Sequence, residues 1–371
     1  MVSGDRFYGL SIPSLFVFAL GVISITIGGL LGRALILHQS TNTEVDDRVA
    51  PSRHSYVRHL LDVGLLFCLV GLPFYWQKAA AAAAASGRTG FFAGVRQQTV
   101  LAEDTVSSIS LLDNLVILAT LLAPIAFFES DSSRSRRLRV IVATVLGLTY
   151  GALTASKGAP VHLILVVLVV CWLKDGRPSI SALTTIAIAC LAFFVAGLIL
   201  VNFIDLDFYD PWEMTWSALE ITPNYMIGSL VGFDRFLSGE RFIENTQGVF
   251  RGFLGIARKL GAEVELPSIH AQYTMISNYE NTNTYTIYFS YISDLGLLGT
   301  ATWMIVLGAT LTFIYRNAQS RNPIAILFYA MLADAIIFSV HAEHFLLGVN
   351  QYGKSLLLLF FLYRVPRFKL R

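Results

Sequence analysis

The stretch LILVVLVV, residues 163–170, is continuously apolar. A strand of a membrane β-barrel alternates apolar and polar residues, because one of its faces meets lipid and the other meets the lumen. A continuous apolar run instead predicts a helix that is apolar on every side, which is the form that crosses a bilayer. This stretch therefore predicts an all-α integral membrane protein.

The composition of the whole chain agrees with that fold class. The 371 residues are 55% hydrophobic and 14% charged, with a mean hydropathy of +0.62. Soluble domains carry about 25% charged residues, so an ordinary soluble enzyme is excluded. The net charge of +2 does not indicate a nucleic-acid-binding protein, and no nucleic acid is expected as a partner. The three cysteines lie inside apolar runs, which argues against disulfides and cysteine zinc sites.

Several further segments resemble the first stretch in length and apolar character, since a spanning helix needs about 20 mostly apolar residues. The nine candidates are residues 10–32, 59–76, 109–128, 138–156, 159–173, 180–203, 297–315, 323–340 and 346–363. The sequence therefore predicts a polytopic protein with about nine or more transmembrane helices, forming a single integral membrane domain over residues 1–371.

The distribution of basic residues predicts how these helices are oriented. Sixteen of the 27 Lys and Arg residues fall in the segments that lie on one side if the nine helices alternate. Cytoplasmic loops carry this excess, so the C-terminus is expected inside and the N-terminus outside. The predicted location is a bacterial inner (cytoplasmic) membrane, with the lipid bilayer as a partner.

Two longer segments are then expected on the outer, periplasmic side. Residues 77–108 form the smaller loop and begin with an alanine run that predicts a helical extension or spacer. Residues 204–295 form a large periplasmic loop. Its stretches 225–233 and 249–260 are amphipathic, which is typical of helices that lie in the membrane interface.

The end of the large loop carries the most distinctive pattern, NTNTYTIYFSYISDLGLLG at residues 281–299. It resembles the N-x-Y-T … Y-x-D-x-G-x-x-G signature of bacterial O-antigen polymerases, the Wzy-type or oligosaccharide repeat unit polymerase family. The turn Ala155-Ser156-Lys157-Gly158 resembles the small-Ser-Arg-Gly turn of that family, with Lys157 in place of arginine. The resemblance covers roughly residues 90–315.

The resemblance implies a membrane glycosyltransferase whose fold is similar to the membrane-helical lipid-linked-sugar glycosyltransferases. Such enzymes polymerise undecaprenyl-pyrophosphate-linked oligosaccharide repeat units into O-antigen or another surface polysaccharide, on the periplasmic face. They transfer the growing chain to the non-reducing end of a lipid-linked repeat unit. The resemblance implies no cofactor and no metal. It also implies possible partners from the same pathway, namely a chain-length regulator and a flippase.

That reaction requires three kinds of side chain. Cations must stabilise the departing pyrophosphate, and the candidates are Arg96, Lys157, Arg235, Arg241 and Arg251. A base must accept the proton of the attacking hydroxyl, and the candidates are Asp294, His270 and Glu280. Aromatic, amide and hydroxyl groups must hold the glycan, and the candidates are Tyr225, Asn283, Tyr285 and Thr286.

Two other functions remain open, an O-antigen ligase-like glycan transferase and a transporter or flippase of lipid-linked oligosaccharide. A transporter needs charged residues along a path through the bilayer, and within the predicted helices these are few, chiefly Asp334. The cluster His341-Ala342-Glu343-His344 also has two readings. It has the ligand types of a zinc site, but we favour a loop whose polar side chains meet water, and no metal is predicted.

Overall fold

The structure, a computed structural model, describes residues 8–39, 51–88, 90–98, 111–129, 134–156, 158–176, 178–200, 210–239, 248–267, 273–278 and 280–364. Helices dominate the described residues. In chain order they are α1 (Ile12–Gln39), α2 (Pro51–Ala85), α3 (Phe91–Arg96), α4 (Leu111–Phe128), α5 (Arg134–Leu153), α6 (Ala159–Asp175), α7 (Ile180–Leu198), α8 (Pro211–Leu237), α9 (Arg251–Lys259), α10 (Ile287–Gln319), α11 (Pro323–Ile337) and α12 (Val349–Arg364). A short antiparallel hairpin, β1 (Thr274–Met275) and β2 (Asn281–Thr282), precedes α10.

Each of the nine predicted apolar segments coincides with a helix. Among the described residues, five helices are long and apolar enough to cross a membrane, within Ile12–Leu35, Tyr56–Ala85, Ile180–Leu198, Ile287–Gln319 and Pro323–Val340. Large apolar side chains such as Phe16, Phe67 and Ile188 are exposed on three of these helices, where a soluble protein would bury them. The prediction of an all-α membrane protein is confirmed, and the number of spans beyond five stays a prediction.

The chain divides into two compact units. Unit 1 comprises Met1–Val45, Ile221–Asn317 and Asp334–Tyr352, and unit 2 comprises Asp46–Glu220, Ala318–Ala333 and Gly353–Arg371. The core of unit 2 is formed by apolar side chains of α2, α4, α5, α6, α11 and α12, and those of α4 pack against α2, α5 and α6. Within this core, the Tyr150 hydroxyl donates to the carbonyl oxygen of Cys68 at 2.9 Å.

Unit 2 also shows what the alanine run does. The run continues α2 as far as Ala85, as the helical-extension reading predicts. The short helix α3 packs closely against the end of α2. A Cβ atom at Gly94 would lie 2.6 Å from the Ser86 hydroxyl oxygen and 2.9 Å from the Ala83 carbonyl oxygen. The segment 79–96 therefore contains the end of α2 and the helix α3, and Arg96 is the last residue of α3.

In unit 1, α1 and α10 pack with their backbones in contact. A Cβ atom at Gly28 would overlap the Ile305 carbonyl oxygen, and one at Gly308 would overlap the Ile25 carbonyl oxygen. Glycine at such positions lets membrane helices approach closely enough for extensive van der Waals contact. The α1–α10 pair forms the helical frame on which the predicted loop residues fold.

Helices and the hairpin occupy much of the described part of residues 204–295. The amphipathic stretches predicted at 225–233 and 249–260 lie in α8 and α9 respectively. On α9, the apolar side chains of Phe253 and Ile256 are exposed, together with Phe250 and Leu260 at its two ends. This spacing of three to four residues gives one apolar face, the form of a helix that lies in the membrane interface.

Helix α10 bends soon after the loop ends. Gly296 has φ 66° and ψ −177° inside the helix, a left-handed conformation that disfavours residues with a Cβ atom. The Thr300 hydroxyl donates to the Gly296 carbonyl oxygen at 2.7 Å and supports the bend. The first glycine of the resembling pattern thus marks a kink, two residues after Asp294.

Candidate functional site

The structure places most of the predicted site residues in unit 1. Its described residues include Arg235, Arg251, Glu280, Asn283, Tyr285, Thr286 and Asp294. Tyr225 falls within α8 in the same unit, and Arg96 ends α3 in unit 2. Lys157, Arg241 and His270 lie outside the described residues. Unit 1 therefore contains most of the candidate site.

The hairpin and the residues after it pack on a glycine face of α8. A Cβ atom at Gly228 would lie 2.9 Å from the Ile276 side chain, and one at Gly232 would lie 2.9 Å from Thr282 and 3.2 Å from the Tyr285 ring. These two glycines are four residues apart and share one helix face. The close approach brings the start of the resembling pattern against α8, which carries Arg235 near its end.

Two of the predicted glycan-binding residues are core residues of unit 1. Tyr285 is 4% exposed, and its ring stacks on Phe289 with centroids 4.2 Å apart. Thr286 is also buried, and its hydroxyl has no hydrogen-bond partner among the residues that the structure describes. Asn283 is half-buried. Glycan binding by these residues stays a prediction, and Asn283 has the most accessible side chain of the three.

Asp294 fixes the segment that leads into α9. Its Oδ2 accepts a hydrogen bond of 2.6 Å from the backbone amide of Val249, which is fully buried. Gly248 approaches Pro267 so closely that a Cβ atom there would lie 2.5 Å from the proline ring. These contacts hold the backbone two residues before Arg251. The side chain of Asp294 is otherwise exposed, and no hydrogen bond reaches its Oδ1 within the described residues.

The position of Arg251 on α9 is informative. It is the first residue of the helix, where the helix dipole disfavours a cation and favours an anion. Arg258, by contrast, lies in the last turn, where the dipole favours a cation. The helix dipole therefore favours a cation at Arg258 and disfavours one at Arg251. An arginine at the first residue of a helix is suited to binding a phosphate.

A second set of contacts surrounds Arg235. Its guanidinium carbon lies 5.2 Å from the centre of the Tyr8 ring, a cation–π distance. The Tyr8 hydroxyl donates to Oδ1 of Asn278 at 3.0 Å, and the Tyr8 amide donates to the Ile276 carbonyl oxygen. The chain before α1 is thereby attached to the hairpin.

Asp234, a residue that the sequence reasoning missed, anchors the start of α1. It is 5% exposed, and its Oδ1 accepts hydrogen bonds from the Ser11 amide, the Ser11 hydroxyl and the Ser14 hydroxyl at 2.5–2.7 Å. Burial raises the pKa of Asp234, but these hydrogen bonds and the neighbouring Arg235 outweigh burial and lower the pKa overall. A serine just before an apolar run predicts the start of a helix. This signal in the sequence points to a hydrogen-bond partner at Ser11.

The structure corrects the reading of the 341–344 cluster for one residue. Glu343 is 1% exposed, so the expectation that its side chain meets water is wrong. Its Oε1 accepts hydrogen bonds from the Tyr291 hydroxyl and the Leu346 amide, both at 2.8 Å. Its Oε2 accepts one from the Leu347 amide at 2.9 Å. Three or more ligand side chains do not come together as a metal site anywhere in the described part of the chain.

In unit 2, Arg96 is half-buried at the end of α3. The resembling turn Ala155–Gly158 joins α5 to α6, as the sequence predicts for a tight connection. Ala155 adopts a left-handed conformation with φ 52°, which is uncommon for a residue with a Cβ atom. An apolar groove of about 360 Å³ lies beside this turn and is lined in part by Phe92, Ser156 and Phe193.

Comparison of the chain with protein-family models, with curated proteins and with solved structures found no match.

Proposed function

We propose that this chain is a membrane glycosyltransferase that polymerises undecaprenyl-pyrophosphate-linked repeat units into a surface polysaccharide on the periplasmic face of the inner membrane. One observation carries the proposal. The pattern at 281–299, which resembles the O-antigen polymerase signature, supplies Asp294 to hold the start of α9, where Arg251 lies. A carboxylate and a cation that the reaction needs are thereby joined through one short segment.

The proposed chemistry is a substitution at the anomeric carbon of the growing chain. A hydroxyl oxygen of the acceptor unit forms a bond to that carbon, and the bond from that carbon to the pyrophosphate oxygen breaks. The bonding electron pair leaves with the lipid pyrophosphate, and the hydroxyl proton passes to a carboxylate. Arg251 and Arg235 neutralise the phosphate charge, and the Oδ1 atom of Asp294 is the proposed proton acceptor.

The position of Arg251 at the first residue of α9 supports its proposed role in this reaction. A cation at the first residue of a helix costs stability at low ionic strength unless an anion is bound there. A bound pyrophosphate would meet the guanidinium fork and the positive end of the helix together. The exposed apolar face of α9 supports a location in the interface, where the phosphates of a lipid-linked substrate also lie.

The test is a gel of surface polysaccharide from a strain that lacks the gene, complemented with variants. Loss of the gene should collapse the ladder to core plus one repeat unit, and the wild-type gene should restore it. Arg251→Gln should fail to restore long chains. Arg258→Gln should restore them, because that exposed arginine lies on the same helix away from the proposed site.

The other outcomes of this experiment separate the alternative functions. An unchanged ladder in the deletion strain would contradict the polymerase. Accumulation of long lipid-linked chains that never reach the cell surface lipid would indicate a ligase. Single units trapped on the cytoplasmic leaflet, detected by leaflet-selective labelling, would indicate a flippase. Equal complementation by Arg251→Gln and Arg258→Gln would remove Arg251 from the mechanism.

A further inference from the structure

We propose that Glu343 is a positioning residue that fixes the first turn of α9 and, through it, the guanidinium group of Arg251. Only the kinetic part of this proposal rests on the function proposed above. It starts from the burial of Glu343, which is 1% exposed. A buried carboxylate is costly unless hydrogen-bond donors replace water, and such an arrangement persists where it holds a particular geometry.

The donors to Glu343 come from two places. Tyr291 lies on α10, and the Leu346 and Leu347 amides belong to the turn that precedes α12. Glu343 therefore ties that turn, residues 343–348, to α10. The turn is further closed by a backbone hydrogen bond of 3.1 Å from the Gly348 amide to the His344 carbonyl oxygen.

The turn that Glu343 holds is in direct contact with α9. A Cβ atom at Gly252 would lie 2.6 Å from the Leu346 carbonyl oxygen and 2.8 Å from Cγ1 of Val349. Only a glycine allows this approach without a shift of backbone atoms. Leu346 therefore links the two sides. Its amide donates to Glu343, and its carbonyl oxygen contacts Gly252, the immediate neighbour of Arg251.

The helical turn of α10 that carries Tyr291 also supports the backbone on the N-terminal side of Arg251. Asp294 accepts the Val249 amide, and Tyr291 donates to Glu343. These two α10 residues are three apart, so they lie on one face of the helix. The backbone of Arg251 is held on its N-terminal side through Asp294 and on its C-terminal side through Glu343.

The first measurement is hydrogen exchange of the amides of residues 249–254 in the full-length protein in lipid nanodiscs. Glu343→Gln removes the charge and one acceptor, and we expect exchange at least about tenfold faster. Gly252→Ala should act in the same direction, because its methyl group displaces the Leu346 carbonyl. Gly255→Ala is the matched control, since a Cβ atom at that α9 position meets nothing within 4 Å.

The second measurement separates positioning of Arg251 from a general structural role. Under single-turnover conditions with a lipid-linked repeat unit, Glu343→Gln should slow chain extension about tenfold. In an Arg251→Gln background it should change the remaining rate by less than about twofold, because the residue it positions is gone.

The outcomes keep the two proposals distinct. Unchanged exchange in Glu343→Gln overturns the positioning role, and so does faster exchange with a wild-type extension rate. A further tenfold loss in the Arg251→Gln background also overturns it. If the wild-type protein shows no chain extension at all, the function proposed above fails, and the exchange measurement alone then decides whether Glu343 fixes α9.

Discussion

At the scale of single residues, two buried carboxylates organise unit 1, and each does so by binding backbone amides. Asp234 accepts the Ser11 amide and two serine hydroxyls at the start of α1. Glu343 accepts two amides before α12. Hydrogen bonds to an ionised group contribute about 1.5–3 kcal/mol, against about 0.5–1.5 kcal/mol for neutral pairs. The charge on each carboxylate is therefore part of what it contributes.

Replacing Asp234 tests that contribution. Asp234→Asn keeps an acceptor oxygen but loses the charge, so we expect the free energy of unfolding to fall by about 1–2 kcal/mol. Equilibrium unfolding in detergent micelles measures this change. The exposed Glu263 offers a control, since Glu263→Gln should change the unfolding free energy by less than about 0.5 kcal/mol. Equal effects of the two substitutions would contradict the anchoring role.

The same residue predicts a dependence on pH. Since the pKa of Asp234 is lower in the folded protein than its ordinary value, its contribution is complete above the unfolded-state pKa, about 4. The contribution is lost as the pH falls from there through the folded-state value. The stability difference between the wild-type protein and Asp234→Asn should therefore shrink below about pH 4. A difference that stays constant down to about pH 2 would contradict this.

Sequence reasoning at this scale identified residue types and left their neighbours unknown. Asp294 and Arg251 were both candidates, and the structure shows that one holds the segment leading to the other. The burial of Glu343 could not be predicted from a cluster of polar residues between two apolar segments. Burial there depends on Tyr291, which lies 52 positions away in the chain.

At the scale of elements, the packing of α1 against α10 depends on individual glycines. Gly28 and Gly29 are adjacent in α1 but face different surroundings. A Cβ atom at Gly28 would overlap the Ile305 backbone, whereas one at Gly29 would lie 3.3 Å from the hydroxyl oxygen of Thr312. A side-chain hydroxyl can rotate away, but a helical carbonyl group cannot. The two positions therefore differ in their tolerance of a methyl group.

We expect Gly28→Ala to destabilise the protein by about 1–3 kcal/mol, the usual cost of overpacking a close contact. Gly29→Ala should cost less than about 1 kcal/mol or be neutral, because alanine is also the better helix former. Unfolding in mixed micelles measures both variants under one condition. If the two variants have equal free energies of unfolding, or if that of Gly29→Ala is the lower, the helix contact is assigned to the wrong glycine.

The elements themselves were largely predictable. Nine apolar segments coincide with helices, because a bilayer-length apolar run leaves few other ways to satisfy backbone hydrogen bonds. The amphipathic stretches in the large loop were also predicted as helices, and they lie in α8 and α9. The kink at Gly296 was not predicted, since a glycine in an apolar helix is compatible with a bend and with close packing alike.

At the scale of the whole molecule, the chain is a helical membrane protein, and most of its described candidate site residues lie in one of its two compact units. The candidate carboxylates and most candidate cations are in unit 1, and Arg96 is in unit 2. The composition predicted the membrane class directly. It could not predict which candidate cations are held in place, because that depends on contacts between α9, α10 and the turn before α12.

The most direct test of the account is polymerisation by the purified protein in phospholipid vesicles that contain only undecaprenyl-pyrophosphate-linked repeat units. We predict that longer lipid-linked chains form at the expense of single units, and that each new linkage releases one undecaprenyl pyrophosphate. Arg251→Gln should slow this conversion strongly, and Arg258→Gln should leave it intact. If the folded wild-type protein leaves every unit single, the central claim is wrong.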